Sequence, residues 1–406
     1  MESPDTTERI YYQDCYRSRF DGVLKGWSED GAAILDRTAF YPSSGGQDPD
    51  MGWLGGVRVV SVEEHAGVVW HRLESPMDAA LQAGATVEGQ IDWPRRFDLM
   101  QHHTGQHLVS AVAHAQFGWE TASVHLGAQR ATVEFAVESA TPEQLEALEQ
   151  LTNEAIAENH PVGIRIVEEG EPVALRKATA RSGPLRVVSI GDIDHSACGG
   201  THVRSTAEIG AFLIVGTERV RKQLRVEFAC GGRAMAQARQ QRDLLRASAA
   251  VWNCRPDQLP EILAQQKEDS ARLNKLWKGA SKELQERRGR SARLALALPE
   301  EGLGPVVALR WISEAPGDDV RAFANGFCSI DASVLLQVHR ESGAFLVASA
   351  AQGGCDAGAW LKQHAAALQA KGGGNALQAN GRLANAEAVP QLLTLLPAAP
   401  ILLSED

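Results

Sequence analysis

The chain has 406 residues, of which 44% are hydrophobic and 22% charged, and a formal net charge of -11. That is enough length for two or three domains and an ordinary globular composition. An acidic balance argues against a protein that coats nucleic acid over its whole surface, MESPDTTERIYYQD lacks the layout of a secretory signal, and no run of about 18 apolar residues suits a membrane span.

The first ninety residues read as β. DGVLKGW and GAAILDRTAFYP are short apolar runs broken by Gly and Asp, WLGGVRVVSVEEHAGVVWHRLE suggests two or three strands with tight turns, and GATVEGQIDW one more strand pair. Many short strands with glycine turns suggest a small barrel, assigned to 1–93. It carries a low-charge glycine loop, TAFYPSSGGQDPDMG at 38–52. After Pro94 the apolar residues Leu99, Met100, Leu108, Val112 and Ala115 recur at gaps that suit a helix, which Gly118 should end. ASVHLGAQRATVEFAV alternates like paired strands, and Thr141, Pro142 and Gln144 form a capping box at the start of a second helix. With the strands VGIRIVEE, PLRVVSIG and LRVEFACGG, residues 94–235 make an α+β domain. Residues 236–291 read as a helical arm, a hairpin or coiled coil, and 292–406 as a small α/β domain holding a glycine-rich loop at 369–383. The expected fold class is therefore α+β, with a small barrel, a metal-bearing α+β domain, an arm and a C-terminal α/β domain.

Charge and cysteine placement refine this. Residues 270–293 hold eight Lys/Arg against two Glu, and RVRKQLR at 219–225 is also basic. Such stripes on an acidic protein suit a nucleic acid held at one face, or simply solvated surfaces. Six cysteines scattered over the chain do not make a disulfide framework, so a reducing cytoplasm is expected.

The chemistry concentrates in two short stretches. In QHHTGQH, His103 and His107 are four apart and so share one helix face. In CGGTH, Cys198 and His202 add a sulfur and a nitrogen. Three His and one Cys suit Zn2+ in a tetrahedral shell. The two glycines are expected to let the backbone turn both side chains inward. The general-base Glu of the H-E-x-x-H motif is absent, with Thr104 in its place. His102 is assigned to the back of the helix.

MQHHTGQHL followed some ninety residues later by CGGTHV resembles the editing domain of alanyl-tRNA synthetases and of the free-standing AlaX proteins. TAFYPSSGGQDPDMG, SVHLG and RVEFACGGRA resemble further family segments in the same order, and the resemblance covers roughly residues 35–235. The unit with KGGG is similar to the C-terminal domain of those synthetases, a relative of domains appended to DHH phosphoesterases. The resemblance implies a zinc-dependent deacylase that removes serine, or glycine, from mischarged alanine tRNA. It makes Thr104 and Gln47 candidate contacts to the aminoacyl end, with His125 and Ser123 lining the pocket beside Gly45 and Gly46. Arg221, Lys222 and Arg225 would meet acceptor-end phosphates, and the arm the tRNA body; arm and C-terminal domain could build a homodimer. The barrel begins within some twenty residues of Met1, which argues against a full synthetase. The alternatives are a non-catalytic tRNA-binding or synthetase-associated module with structural zinc, and a metallohydrolase of another aminoacyl ester.

Overall fold

The computed structural model describes residues 6–75, 82–169, 171–179, 183–296, 304–313, 316–384 and 388–403. It divides into two compact units, Met1–Val251 and Trp252–Asp406. The division falls within the stretch expected as an arm, between the helices Gly231–Val251 and Leu259–Leu294.

In the first unit, the strands Arg19–Trp27, Ala33–Leu35, Val68–Leu73, Val57–His65, Gly52–Leu54 and Thr86–Ile91 pair in that order. Thr86–Ile91 pairs back onto Arg19–Trp27, so the ring of hydrogen bonds closes into a barrel. The strand pair expected in GATVEGQIDW is instead this single strand, with Arg19–Trp27 on one side and Gly52–Leu54 on the other. Its side chains alternate between exposed and buried, so Val87 and Ile91 join Leu24, Leu35, Leu54 and Val62 inside.

The helix Trp93–Phe117 follows directly. The Asp92 carboxylate accepts from the Arg95 N–H, Pro94 sits in the first turn, and Gly118 ends the helix at φ 68°. A left-handed residue there is cheap only for glycine. Most of the helix is buried, because the helix Pro142–Ala157, the turn Thr206–Ile209 and strands of two sheets pack around it. One sheet is antiparallel in the order Phe212–Val220, Gln223–Cys230, Ala131–Phe135, Thr121–Leu126; a second is Val162–Val167, Leu185–Ile190, Asp194–Ala197. The helix Pro142–Ala157 opens with both hydrogen bonds of the capping box between Thr141 and Gln144. Met100, Leu108, Val109, Phe135, Ile190 and Phe228 form the shared core.

A buried ion pair fastens barrel to helix. Arg96 meets the Asp50 carboxylate and donates to the Cys15 and Ala39 carbonyls, while Asp50 also accepts from the Tyr41 N–H. Both charged side chains are fully inaccessible, so either one alone would be an uncompensated buried charge. The pair fixes both ends of the glycine loop, which lies along the outer strand Thr121–Leu126. The Leu126 N–H donates to the Gly46 carbonyl at 2.6 Å and the Asp48 N–H to the Leu126 carbonyl at 3.1 Å. Gly46, at φ 84°, sits so near the Val124 carbonyl that a β-carbon would meet it.

The second unit is a six-stranded mixed sheet, ordered Lys371–Gly374, Gln378–Arg382, Ala344–Ser349, Ser333–His339, Val306–Ile312, Ile401–Leu402. Ser333–His339 sends Val334, Leu336 and Val338 into one core and Leu335 into another, as a sheet covered on both faces must. The expected glycine-rich loop at 369–383 is a β-hairpin instead, with Lys371–Gly374 antiparallel to Gln378–Arg382. A β-carbon on Gly372 or Gly374 would run into the facing strand, which accounts for those two glycines, while Gly373 faces open space. The helix Leu259–Leu294 meets Asp318–Phe327 through Gly289 and Gly326, where a β-carbon on either would strike the opposite backbone. No helix among the described residues is long and apolar enough to cross a membrane.

Candidate metal centre

His103 and His107 lie on one face of the helix Trp93–Phe117, one turn apart. Cys198 and His202 come from the loop after the strand Asp194–Ala197. The fold brings these four together so that one donor atom from each lies within 4.8 Å of all the others. Cys198 Sγ is 3.3 Å from His103 Nε2 and 3.4 Å from His202 Nε2. Ligands around a tetrahedral zinc with bonds near 2.0–2.3 Å stand roughly 3.6 Å apart. The donor set and its spacing therefore fit a metal ion at the centre.

Each imidazole is aimed by an outer partner at its Nδ1. The Thr201 N–H, which can only donate, points at Gln47 Oε1 at 3.3 Å, and Gln47 Nε2 donates to Thr201 Oγ1 at 2.9 Å. That orients the Gln47 amide, so His103 Nδ1, 2.6 Å from the same oxygen, must carry the proton. The Thr104 hydroxyl donates to the Met100 carbonyl at 2.9 Å, so it accepts from the Val203 N–H and from His202 Nδ1 at 3.1 Å. His107 Nδ1 donates to Asp194 Oδ2 at 2.9 Å. With Nδ1 engaged in this way, His103 and His202 turn their Nε2 atoms toward the sulfur. Such outer hydrogen bonds fix tautomer and ring orientation in metal sites.

The electrostatics favour a thiolate at Cys198 and a neutral His202, while His107 holds a proton that a metal would have to displace. Burial opposes ionisation of Cys198, yet the adjoining His103 and His202 rings, with the hydrogen bond from His103, outweigh it and hold the thiol well below its usual value. Burial, reinforced by the neighbouring His103, pushes His202 down to about 3, which keeps it neutral. Burial also works against His107, but the Asp194 and Cys198 hydrogen bonds raise it to about 9. A thiolate and a neutral imidazole are the forms a metal takes.

The glycines of CGGTH serve differently from the expected backbone turn. Neither Gly199 nor Gly200 has a positive φ. Gly200 is needed for room, since a β-carbon there would strike the His103 ring and stand 3.0 Å from Gln47 Oε1. One on Gly199 would meet only the Tyr12 hydroxyl, at 3.4 Å.

The other expected residues are placed unevenly. Gln47 and Thr104 are buried behind the donors, with the polar atoms named above already partnered inside the protein. That is the position of an orienting group, not of a free contact. Ser123 and His125 are exposed, two apart on the outer strand that the Gly45–Gly46 loop abuts. Arg221 and Lys222 form the exposed tip of a hairpin. Arg225 is bound to Glu134 at 2.6 Å and Glu218 at 3.1 Å, so much of its charge is neutralised. His102 lies off the cluster: its Nδ1 donates to the Asp98 carbonyl and its Nε2 accepts from the Cys230 N–H. Asp194 was not anticipated, although it alternates with Ser196 on the strand that leads directly into Cys198. Arg186 was also missed; it stacks on Tyr12 and donates to the Cys198 carbonyl at 2.7 Å.

Residues 185–226 match the family model described as the threonyl and alanyl tRNA synthetase second additional domain, and residues 16–95 match that of class II (A) tRNA synthetases. The alanine–tRNA ligase of Pyrococcus furiosus is 32% identical over 85% of this chain, which spans 38% of the ligase. The alanyl-tRNA editing protein Aarsd1 of Mus musculus is 31% identical over 81% of this chain and 79% of its own length. The alanyl-tRNA editing protein AlaX-M of Methanosarcina acetivorans is 35% identical over 50% of this chain and 90% of its own. Similarity that runs nearly end to end through a dedicated editing protein, and through much of a second, makes this chain a member of the alanyl-tRNA editing protein family.

Proposed function

We propose that this chain hydrolyses the ester that links serine, or glycine, to alanine tRNA, with Zn2+ held by His103, His107, Cys198 and His202. The observation that carries the reading is the four-donor cluster in a chain of the alanyl-tRNA editing family. A synthetase pocket built for alanine cannot strongly reject a smaller residue, nor one that only adds a hydroxyl, so a second site must remove the wrong product. Cysteine with histidines favours zinc over the hard, oxygen-loving cations. When bound, zinc supplies a Lewis-acidic centre that attracts the amino or hydroxyl group of the ester and makes nearby water more acidic.

The chain's own residues do the rest. Gln47, Thr104 and Asp194 hold the three imidazoles in place, so the donors need no reordering when substrate arrives. Gly45, Gly46, Ser123 and His125 line the entrance for the aminoacyl end. Arg221 and Lys222 take backbone phosphates, which position a tRNA without reading its sequence. Arg225 braces that hairpin through Glu134. In parts, 1–93 carries the Gln47 loop, 94–235 the donors, 236–291 the tRNA-facing arm, and 292–406 a unit that pairs with a second copy or with tRNA. The reaction belongs in the cytoplasm, where reducing conditions preserve the Cys198 thiol.

The test is the release of serine from serylated alanine tRNA, run beside correctly charged tRNA. Zinc-loaded protein is expected to release serine at least tenfold faster than buffer and to spare alanine. Chelation and Cys198→Ala are each expected to abolish the gain. Metal-loaded protein that hydrolyses neither ester, but unfolds on chelation, would make the zinc purely structural.

A further inference from the structure

We propose that Arg176 is a positioning residue for the metal centre: it locks the Asp194 carboxylate in the orientation that aims His107. This rests on the reading of the four-donor cluster as a metal site.

Asp194 has no exposed side-chain surface, and its two oxygens divide the work. Oδ2 accepts from His107 Nδ1 at 2.9 Å, and Oδ1 accepts from Arg176 Nε at 2.6 Å. Arg176 Nη2 also donates to Ser196 Oγ at 3.3 Å, so the Ser196 hydroxyl proton is turned back to Asp194, 2.9 Å from Oδ2. The guanidinium and the hydroxyl thus pin the carboxylate against swivelling about its Cβ–Cγ bond. A planar fork does this where a single ammonium would not. A buried carboxylate also needs a cation, and Arg176 brings one that is only 12% exposed.

Arg176 belongs to none of the elements that carry the donors. It sits in the irregular segment 171–179, which makes contact with two sheets. Its own N–H donates to the His195 carbonyl at 2.9 Å, and neighbouring Lys177 Nζ donates to the Thr121 carbonyl at 3.1 Å. Those carbonyls belong to different sheets. The segment therefore ties the strand bearing Asp194 to the outer strand of the other sheet, and Arg176 passes that placement to His107.

A purely structural ion pair would steady the fold without touching the metal, so the test reads the metal directly. Metal affinity is measured by chelator competition, and geometry by the visible absorption of the Co2+-substituted protein. Arg176→Gln is expected to weaken Zn2+ binding about tenfold and shift the Co2+ ligand-field bands; Asp194→Asn should do the same or more, within the roughly 10–100-fold typical of outer-shell partners. Arg176→Lys, keeping charge without the fork, should recover part of the affinity. Wild-type affinity and spectrum in Arg176→Gln would overturn the proposal. If that variant does not fold, Arg176→Lys carries the test: a several-fold loss supports the proposal and none overturns it. His107→Ala separates the underlying reading, because undiminished metal binding there would mean the cluster is not the metal site at all.

Discussion

At residue 200 the important property is a missing side chain. A single methyl group would strike the His103 ring and crowd Gln47 Oε1. Gly200→Ala should therefore cost about 1–3 kcal/mol of stability and much of the bound metal, measured by thermal unfolding and metal content. Gly199→Ala, facing only the Tyr12 hydroxyl, should stay within about 0.5 kcal/mol of wild type with full metal content. Equal effects at both positions would refute this account. Gln47→Ala should leave the His103 Nδ1–H and the Thr201 N–H without their acceptor, weakening metal binding about tenfold by chelator competition. The contrast shows what could be read from the sequence. His103 and His107 were legible because helical spacing alone puts them on one face, and Cys198 and His202 because they sit in one short loop. The reason for the glycines was not, because it lies in the space beside a ring 97 positions away. Arg176 gave no signal, since only the tertiary fold brings it to Asp194.

Among the elements, the barrel carries its own pH sensor. His71 on Val68–Leu73 is fully buried; its Nδ1 donates to the Ala33 carbonyl at 3.0 Å and its Nε2 accepts from the Thr38 hydroxyl at 2.8 Å. Burial pushes His71 down to about 4, against the pull of the Ala33 carbonyl. The unfolded chain takes up a proton near 6.5 while the folded chain resists until about 4. The His71 contribution to stability is therefore full above 6.5 and is lost as the pH drops toward 4, by up to about 3 kcal/mol. Urea midpoints measured from pH 7 to 4.5 should trace that fall, and His71→Gln should flatten it. A slope unchanged in the variant would assign the acid sensitivity elsewhere. Elements were most legible where local chemistry fixes them, as at Gly118 and the Thr141 capping box. They were least legible where pairing decides. Thr86–Ile91 became one strand and not two because it has a partner on each edge, and KGGG became a strand because Gln378–Arg382 lies beside it.

On the scale of the whole molecule, all four donors and their outer partners belong to Met1–Val251. Residues 1–251 produced alone should bind one equivalent of Zn2+ with the affinity of the full chain, by calorimetry. A tenfold weaker site would mean that the second unit contributes to it. Within that second unit, Leu273, Leu276 and Trp277 stand 59%, 62% and 72% exposed on the helix Leu259–Leu294. If this face pairs with a second copy, Trp277→Asp should shift sedimentation of the full chain from dimer to monomer. An unchanged sedimentation coefficient would remove that role.

The Gln47–Thr201 hydrogen bond joins residues 154 positions apart, and this sets a schedule for the nascent chain. At about 5–20 residues per second, roughly 8–30 s of translation separate the two. Once Thr86–Ile91 has been made, the barrel can close on the ribosome while its Gln47 amide still lacks the threonine that orients it. The donor set, too, is incomplete until His202 is made. A metal at this cluster would therefore be captured only once His202 is made, and that can finish while the second unit is still being made.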